Sequence, residues 1–202
     1  MLKEELIVSL RVTLVTLVLT GLLYPLATTG VALLVFPQQA RGSLLRDAGG
    51  AVLGSEWIGQ GAPAGAEGAG YLAGRPSAVG FDAAGSGGSN LGGTSKALRE
   101  RVAKELQRLI AENPEAAAPV PAALVSTSAS GLDPHLPPEA ALWQVPRIAR
   151  ARGVSAERVR AVIEAHVEGR DFLLLGEPRV NVLLTNLSLD RQFGRPPLAQ
   201  GR

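Results

Sequence analysis

The sequence predicts an α+β protein: a single N-terminal transmembrane helix followed by one soluble α+β domain of short strands and three to four helices. Three observations carry this. The run from Val12 to Phe36 holds no charged residue, and at about 1.5 Å per helical residue it reaches roughly 37 Å, enough to cross a hydrocarbon core of about 30 Å with some tilt. Sixteen of the 24 glycines lie between residues 37 and 94, a density that disfavours helices and leaves short strands between turns. Beyond residue 94, apolar residues recur at helical spacing in stretches bounded by caps and breakers.

The expected organisation is a short N-terminal tail (1–11), the transmembrane helix (12–36), an extracytoplasmic domain (37–194) with a Gly-rich half (37–94) and a helical half (95–194), and a C-terminal tail (195–202). The apolar run continues past Pro25 to Phe36 without a small-x-small cleavage site behind it, which favours an uncleaved anchor over a removed signal peptide or a buried soluble helix. Thr13, Thr16 and Thr20 share one helical face, with Ala27 two turns further on. Such small and hydroxyl residues let a second helix approach closely; alternatively, the threonines bond back to their own backbone. Pro25 lacks an N–H and is predicted to kink the helix, and Tyr24 lies too deep to be an interfacial belt residue. Together these residues describe a helix that packs on a partner within the lipid bilayer.

Lys3, Arg11 and the α-amino group flank the span on one side, Arg41 and Arg46 on the other. That balance leaves the positive-inside rule undecided; the orientation adopted is a cytoplasmic N-terminus with residues 37–202 exported. Cysteine is absent, which excludes a disulfide framework and cysteine-based metal sites. The net charge is +2, and positive and negative residues interleave as on an ordinary solvated surface. With aromatics at 4%, nothing resembles a nucleic-acid-binding face.

Within the Gly-rich half, Ala51-Val52-Leu53 and Trp57-Ile58 read as brief strands, Gln60 to Gly70 as a mobile surface loop, and Gly85 to Gly93 as a linker or a loop whose amides approach something closely. A helix capped by Thr94 or Ser95 follows, with Leu98, Val102, Leu106, Leu109 and Ile110 as its apolar stripe, stopped by Asn113-Pro114. Ala122 to Thr127 reads as a strand. A second helix starts near Pro137-Pro138, bends at Pro146 and closes at Gly153. Ser155 caps a third, with Val159, Val162, Ile163 and His166 on its inner side. Phe172 to Leu175 forms a continuous apolar strand candidate, and Val180, Leu183, Leu184 and Leu187 mark a last helix starting near Asn181 and ending before Asp190.

Ser130, Asp133 and His135 fall within six residues, whereas the members of a catalytic triad come from separate elements. A turn in which these side chains bond local backbone is the preferred reading. Gly93-Thr94-Ser95-Lys96 has the wrong order for a phosphate-binding P-loop. His135 and His166 lie on separate elements, so no metal site is expected, and no constellation of side chains rises to an enzyme. Arg75, Gln144, Arg147 and Asn181 are polar residues set among apolar or Gly/Pro positions. They read either as internal hydrogen-bonding groups or as partner contacts, and are carried forward as contacts.

Eight motifs then become familiar: Gly21-Leu-Leu-Tyr-Pro, Phe36-Pro-Gln-Gln-Ala-Arg-Gly-Ser, Gly54-Ser-Glu-Trp-Ile-Gly-Gln, Gly74-Arg-Pro-Ser-Ala, Ser89-Asn-Leu-Gly, Ser128-Ala-Ser-Gly-Leu-Asp-Pro-His, Gln144-Val-Pro-Arg and Gly176-Glu-Pro-Arg-Val-Asn-Val-Leu. In this order, over roughly residues 9–190, the chain resembles the KdpC family, the small subunit of the bacterial Kdp potassium-transporting ATPase complex. An Ala/Gly-rich insert at Gly61–Gly70 and the extra tail depart from it. The resemblance implies a bacterial inner-membrane, single-pass, non-catalytic subunit whose partners are a pore-forming potassium-channel-like subunit and a P-type ATPase subunit. It brings Gln60, the last residue of its motif, into the set of contacts. The family is commonly described as a catalytic chaperone that raises the ATP affinity of the catalytic subunit. That implies an alternative in which ATP, reached through the complex, meets the Gly-rich loop at Ser86, Gly87, Gly88, Ser89 and Asn90. An exported domain cannot meet cytoplasmic ATP, so a stabilising role that covers the pore entrance is preferred.

Overall fold

The computed structural model describes residues 2–63 and 65–196, and the chain divides into one unit through Leu53 and another from Gly54 onward. The first unit opens on continuous helix: α1 (Leu2–Val18), a π turn (Leu19–Leu23) and α2 (Tyr24–Val35). These 34 residues form a helix long and apolar enough to cross a membrane. The residues before Val12, expected as a tail, are its first turns, because Leu-Lys-Glu-Glu-Leu contains only good helix formers. Pro25 acts through the π turn before it. The Tyr24 N–H donates to the Leu19 carbonyl five residues back, a widened turn that accommodates the missing donor and the ring. Beyond α3 (Pro37–Ala40), β1 (Leu44–Arg46) and β2 (Val52–Ser55) form a two-stranded hairpin. Its turn is held by Asp47, whose Oδ1 accepts from the Gly49 and Ala51 N–H groups at 2.9 Å each.

The second unit contains α4 (Gly65–Gly68), α5 (Lys96–Glu112), a 3-10 turn (Ala122–Leu124), β3 (His135–Leu136), α6 (Pro138–Trp143), α7 (Val145–Arg152), α8 (Ala156–Glu164), β4 (Val167–Glu168), β5 (Arg179–Asn181) and α9 (Val182–Phe193). The three strands make an antiparallel sheet in the order β3-β5-β4, with Leu136 opposite Val180 on one side and Val167 opposite Val180 on the other. α6 and α9 pack on β5, and α8 packs on α6, α7 and α9. Leu72, Leu136, Ile148, Ile163, Val180 and Leu189 lie in the core, none more than 1% exposed. Short strands and helices around one apolar centre make the α+β domain that the sequence predicts.

The caps explain where the helices stop and start. Ser95 Oγ accepts from the Leu98 N–H, and Asn181 Oδ1 from the Leu184 N–H at 3.1 Å. Gly153 closes α7 with φ +64°, the left-handed conformation that favours glycine. Ser155 has an N-cap backbone but makes no capping bond with its side chain. Its hydroxyl bonds Glu157, and with Glu157's own backbone N–H, the larger cause, it holds that carboxyl below the usual range.

Several elements differ from expectation. Pro146 does not bend one helix: the chain breaks at Gln144, which ends α6 and precedes α7, so the proline occupies the first turn of a new helix. Within the expected strand Ala122–Thr127 the chain forms the 3-10 turn Ala122–Leu124 instead, its Leu124 and Val125 N–H groups bonded to the nearby Pro121 and Ala122 carbonyls; Leu124 and Val125 are nevertheless buried. Trp57 and Ile58 form a turn around Ser55, which accepts both of their N–H groups, through Oγ and its carbonyl respectively. The Gln60–Gly70 stretch includes α4 and buries Gly68 and Gly70. Ile110 is 56% exposed, since α5 turns only Leu109 and its neighbours inward. Val180 belongs to β5 rather than to the last helix, and Asp190 lies within α9. His166 follows α8; its Nδ1 meets the Val162 carbonyl and its Nε2 the Ser188 hydroxyl, both at 2.8 Å. Phe172–Leu175, expected as a continuous apolar strand, is an exposed loop between β4 and β5. Of the expected C-terminal tail, residues 197–202 lie outside the described residues.

Candidate subunit interface

The residues carried forward as contacts fall into three groups. On the helix, Thr13, Thr16, Thr20, Tyr24 and Pro25 are all exposed. The Thr16 and Thr20 hydroxyls donate to the carbonyls four residues back, Val12 at 2.7 Å and Thr16 at 2.8 Å. This satisfies both hydroxyls within the helix itself.

Gln144 and Arg147 are inside the second unit, 1% and 7% exposed. They belong to a clamp around the backbone of residues 68–73. The Gln144 carboxamide pairs reciprocally with Ala73, accepting from its N–H at 2.9 Å and donating to its carbonyl at 3.0 Å. Asn186 of α9 does the same with Leu72, at 2.8 and 3.0 Å. Two side chains thus replace the strands that would otherwise satisfy this segment. Arg147 donates to the carbonyls of Gly68, Ala69 and Tyr71 and to Gln144 Oε1, all between 2.8 and 3.0 Å. Burial lowers the Arg147 pKa from its ordinary value, but the carbonyl cage gives every bonded N–H an acceptor and no carboxylate is needed.

Arg152, from the last turn of α7, extends the clamp. Its side chain is 1% exposed and paired to Asp190 at 2.8 Å. It donates to the Gly70 and Gly194 carbonyls, and its guanidinium lies over the Tyr71 ring, 4.8 Å from the centroid. Tyr71 donates its hydroxyl to Asp190 Oδ2 at 3.0 Å. Burial and the Asp190 carboxylate push the Tyr71 pKa above its ordinary value. The folded state therefore favours the protonated phenol: this stabilisation is complete below about pH 10, the unfolded value, and is lost as pH rises towards the folded one. Tyr71→Phe is expected to flatten the loss of stability between about pH 9 and pH 11, read from urea midpoints of the full chain in detergent. An unchanged slope would show that the phenol is not the titrating group.

The third group forms a layered ridge. The Ser86 hydroxyl and the Gly87 N–H both donate to the Ser130 carbonyl, at 3.0 and 2.8 Å. Thr127 and Ser89 join their hydroxyls, and Asn90 takes φ 51°. A Cβ on Gly88 would lie 2.9 Å from the Ala129 carbonyl oxygen, so this loop is pressed against residues 127–131. Beneath them, Ser77 Oγ donates to the Gly131 carbonyl at 2.7 Å, and Arg75 joins Asp133 at 3.2 Å and the Thr127 carbonyl. Ser130 Oγ accepts from the Leu132 N–H, and Asp133 from the His135 N–H at 3.0 Å. These side chains serve the turn, as the local reading of the sequence holds. Asn181 is 2% exposed and donates to the Glu56 carbonyl at 2.8 Å, whereas Gln60 is exposed.

One cleft, of about 590 Å³, brings three guanidinium groups together, those of Arg108, Arg147 and Arg150. Arg108 is flanked by Glu105 and Glu112, with Glu105 the larger cause of its raised pKa. Arg150 pairs with Glu115 at 3.0 Å. With Arg147 donating into its carbonyl cage and the other two paired to carboxylates, all three guanidinium groups already have partners within the domain. Sequence reasoning missed Tyr71, Arg152, Asn186 and Asp190. Their spacing carries no local signal, since Arg152 and Asn186 meet backbone 82 and 114 residues away.

Comparison with known proteins agrees along nearly the whole chain. Residues 6–191 match the family described as KdpC: K+-transporting ATPase, c chain. The chain is 62% identical over 191 residues to the potassium-transporting ATPase KdpC subunit of Myxococcus xanthus, covering 94% of this chain and 89% of that one. It is 50% identical over 209 residues to the corresponding subunit of Methylobacterium nodulans (96% and 98% covered) and 51% identical over 202 residues to that of Rhodopseudomonas palustris (93% and 96% covered). An apolar N-terminal helix, a small α+β domain and a match of this extent and identity lead to one assignment: the chain belongs to the KdpC family.

Proposed function

We propose that this chain is a non-catalytic accessory subunit of an ATP-driven potassium-uptake complex, which stabilises the assembly and covers the outer face of its pore-forming subunit. In this reading the N-terminal helix crosses the bacterial inner membrane with its N-terminus in the cytoplasm and packs on a membrane partner, while the second unit lies outside. The observation that carries it is the 34-residue apolar helix, its membrane-length window wholly unburied, in a chain whose relatives are named as ATPase subunits. The polar side chains support it from the other direction. Gln144, Arg147 and Arg152 hold the fold together, and the Ser86 and Gly87 donors of the glycine-rich loop go to Ser130 rather than facing a nucleotide. The catalytic-chaperone reading, with ATP at Ser86–Asn90, is therefore the lesser one.

Membranes solubilised in mild detergent are expected to yield the tagged chain together with two larger chains; recovery as a lone monomer would overturn the proposal. Because the chain has no cysteine, Ser86→Cys creates a unique reporter. A membrane-impermeant maleimide added to intact spheroplasts is expected to label it, and labelling only after lysis would place the domain inside.

A further inference from the structure

Between β4 and β5 the chain makes a loop whose outermost residues are Phe172, Leu173, Leu174 and Leu175, exposed by 89, 88, 80 and 61%. Among the described residues of the second unit, no other run of four large apolar residues is exposed. A contiguous exposed apolar patch marks an interaction surface more often than scattered single residues do. The core beneath is complete without it: Val180 is fully buried in β5. Collapse onto the domain is also opposed by the loop's own construction.

The loop is built rather than loose. Asp171 and Leu175 exchange both backbone hydrogen bonds at 2.9 Å, closing a tight turn around the apolar residues. Phe172 and Leu173 sit at φ 51° and 66°, where a side chain crowds its own backbone. Strain of this kind persists only where the surroundings enforce it, and it points from structure towards a role. At the base, Arg170 pairs with Glu177 at 2.7 Å, and Arg179 with Glu168 at 2.9 Å and Asp171 at 3.1 Å.

Those pairings decide between occupants. The five charged residues at the base sum to a net −1, and both cations are already bound to carboxylates. Segments that insert into a lipid surface combine apolar residues with cations for anionic headgroups, and this base supplies none. A fixed, aromatic-plus-aliphatic knob above a collar whose two cations are already ion-paired instead matches the apolar anchors that fill pockets at protein interfaces.

We propose that the Phe172–Leu175 tip is a docking anchor that inserts into an apolar, uncharged pocket on a partner subunit of the same complex. This rests on the reading of the chain as a complex subunit and adds the surface through which its domain engages. The test uses the full chain within its complex. Phe172→Ser combined with Leu173→Ser and Leu174→Ser is compared with Ile110→Ser, an equally simple loss of exposed apolar surface on α5. The triple variant is expected to leave immobilised complex at least tenfold faster than wild type, while the control dissociates at the wild-type rate. Equal dissociation of all three overturns the anchor and leaves the subunit reading intact; failure of wild type itself to copurify overturns the subunit reading. A photoreactive benzophenone side chain in place of Leu173, in otherwise wild-type chain, reads the contact without removing the tip. Crosslinks to a larger protein chain support the anchor, and crosslinks confined to lipid assign the tip to the bilayer and overturn it.

Discussion

Arg147→Ala is expected to destabilise the second unit by about 3–5 kcal/mol, through the several buried acceptors that lose their donor at once. The wild-type guanidinium bridges three carbonyls on the 68–71 segment and Gln144 Oε1. Truncation leaves those acceptors without their donor, each costing about 1–3 kcal/mol where it stays unpaired. Partial collapse and water entry offset some of that, which is why the total stays below the sum. For a unit of this size the melting midpoint should fall by roughly 10 °C. Trp57 and Trp143, the chain's two tryptophans, both lie in the second unit, so fluorescence of the full chain in detergent reports its unfolding. Arg147→Lys separates charge from geometry. An ammonium restores the charge but not the planar fork, and it is expected to recover less than half of the loss. A loss below about 1 kcal/mol for Arg147→Ala would show that the carbonyl cage is incidental.

The sequence made the helical half of this fold legible because its signals are local. Ser95, Asn181 and Gly153 mark the ends of α5, α9 and α7 by side-chain chemistry or backbone conformation that a short window contains. The strands were harder. β3 and β4 have two residues each and β5 has three, too few for alternation to register, and their pairing is set by partners far along the chain. Phe172–Leu175 misled for a related reason: a short apolar run signals burial only when something exists to bury it. The candidate contacts were half legible. Polar residues among apolar neighbours did single out Gln144, Arg147 and Asn181 as internal hydrogen-bonding groups or contacts, and the fold buries all three. Asn186 and Arg152 gave no such signal, because one lies on an ordinary amphipathic helix and the other ends a basic turn.

Gly131→Ala is expected to cost about 2–5 kcal/mol, from two sources that can be measured separately. Gly131 has φ +69°, where an alanine pays roughly 1–2 kcal/mol in steric strain. Its added Cβ would also lie 2.7 Å from the Gly87 carbonyl oxygen and 2.6 Å from Val79 Cγ2, an overpacking that typically costs about 1–3 kcal/mol. Gly153→Ala supplies the reference, since Gly153 has φ +64° but nothing within 4 Å of the added atom. That substitution should therefore carry the strain alone, and the difference between the two urea midpoints isolates the close packing of residues 77–79, 87 and 131. The same clash should push the Ser86–Asn90 loop off the Ser130 carbonyl, so Gly131→Ala is expected to speed limited proteolysis within residues 85–93 while Gly153→Ala leaves it unchanged. Equal costs for both substitutions, with no new cleavage, would mean that the ridge yields without resistance and that its layered contacts do not fix the position of the glycine-rich loop.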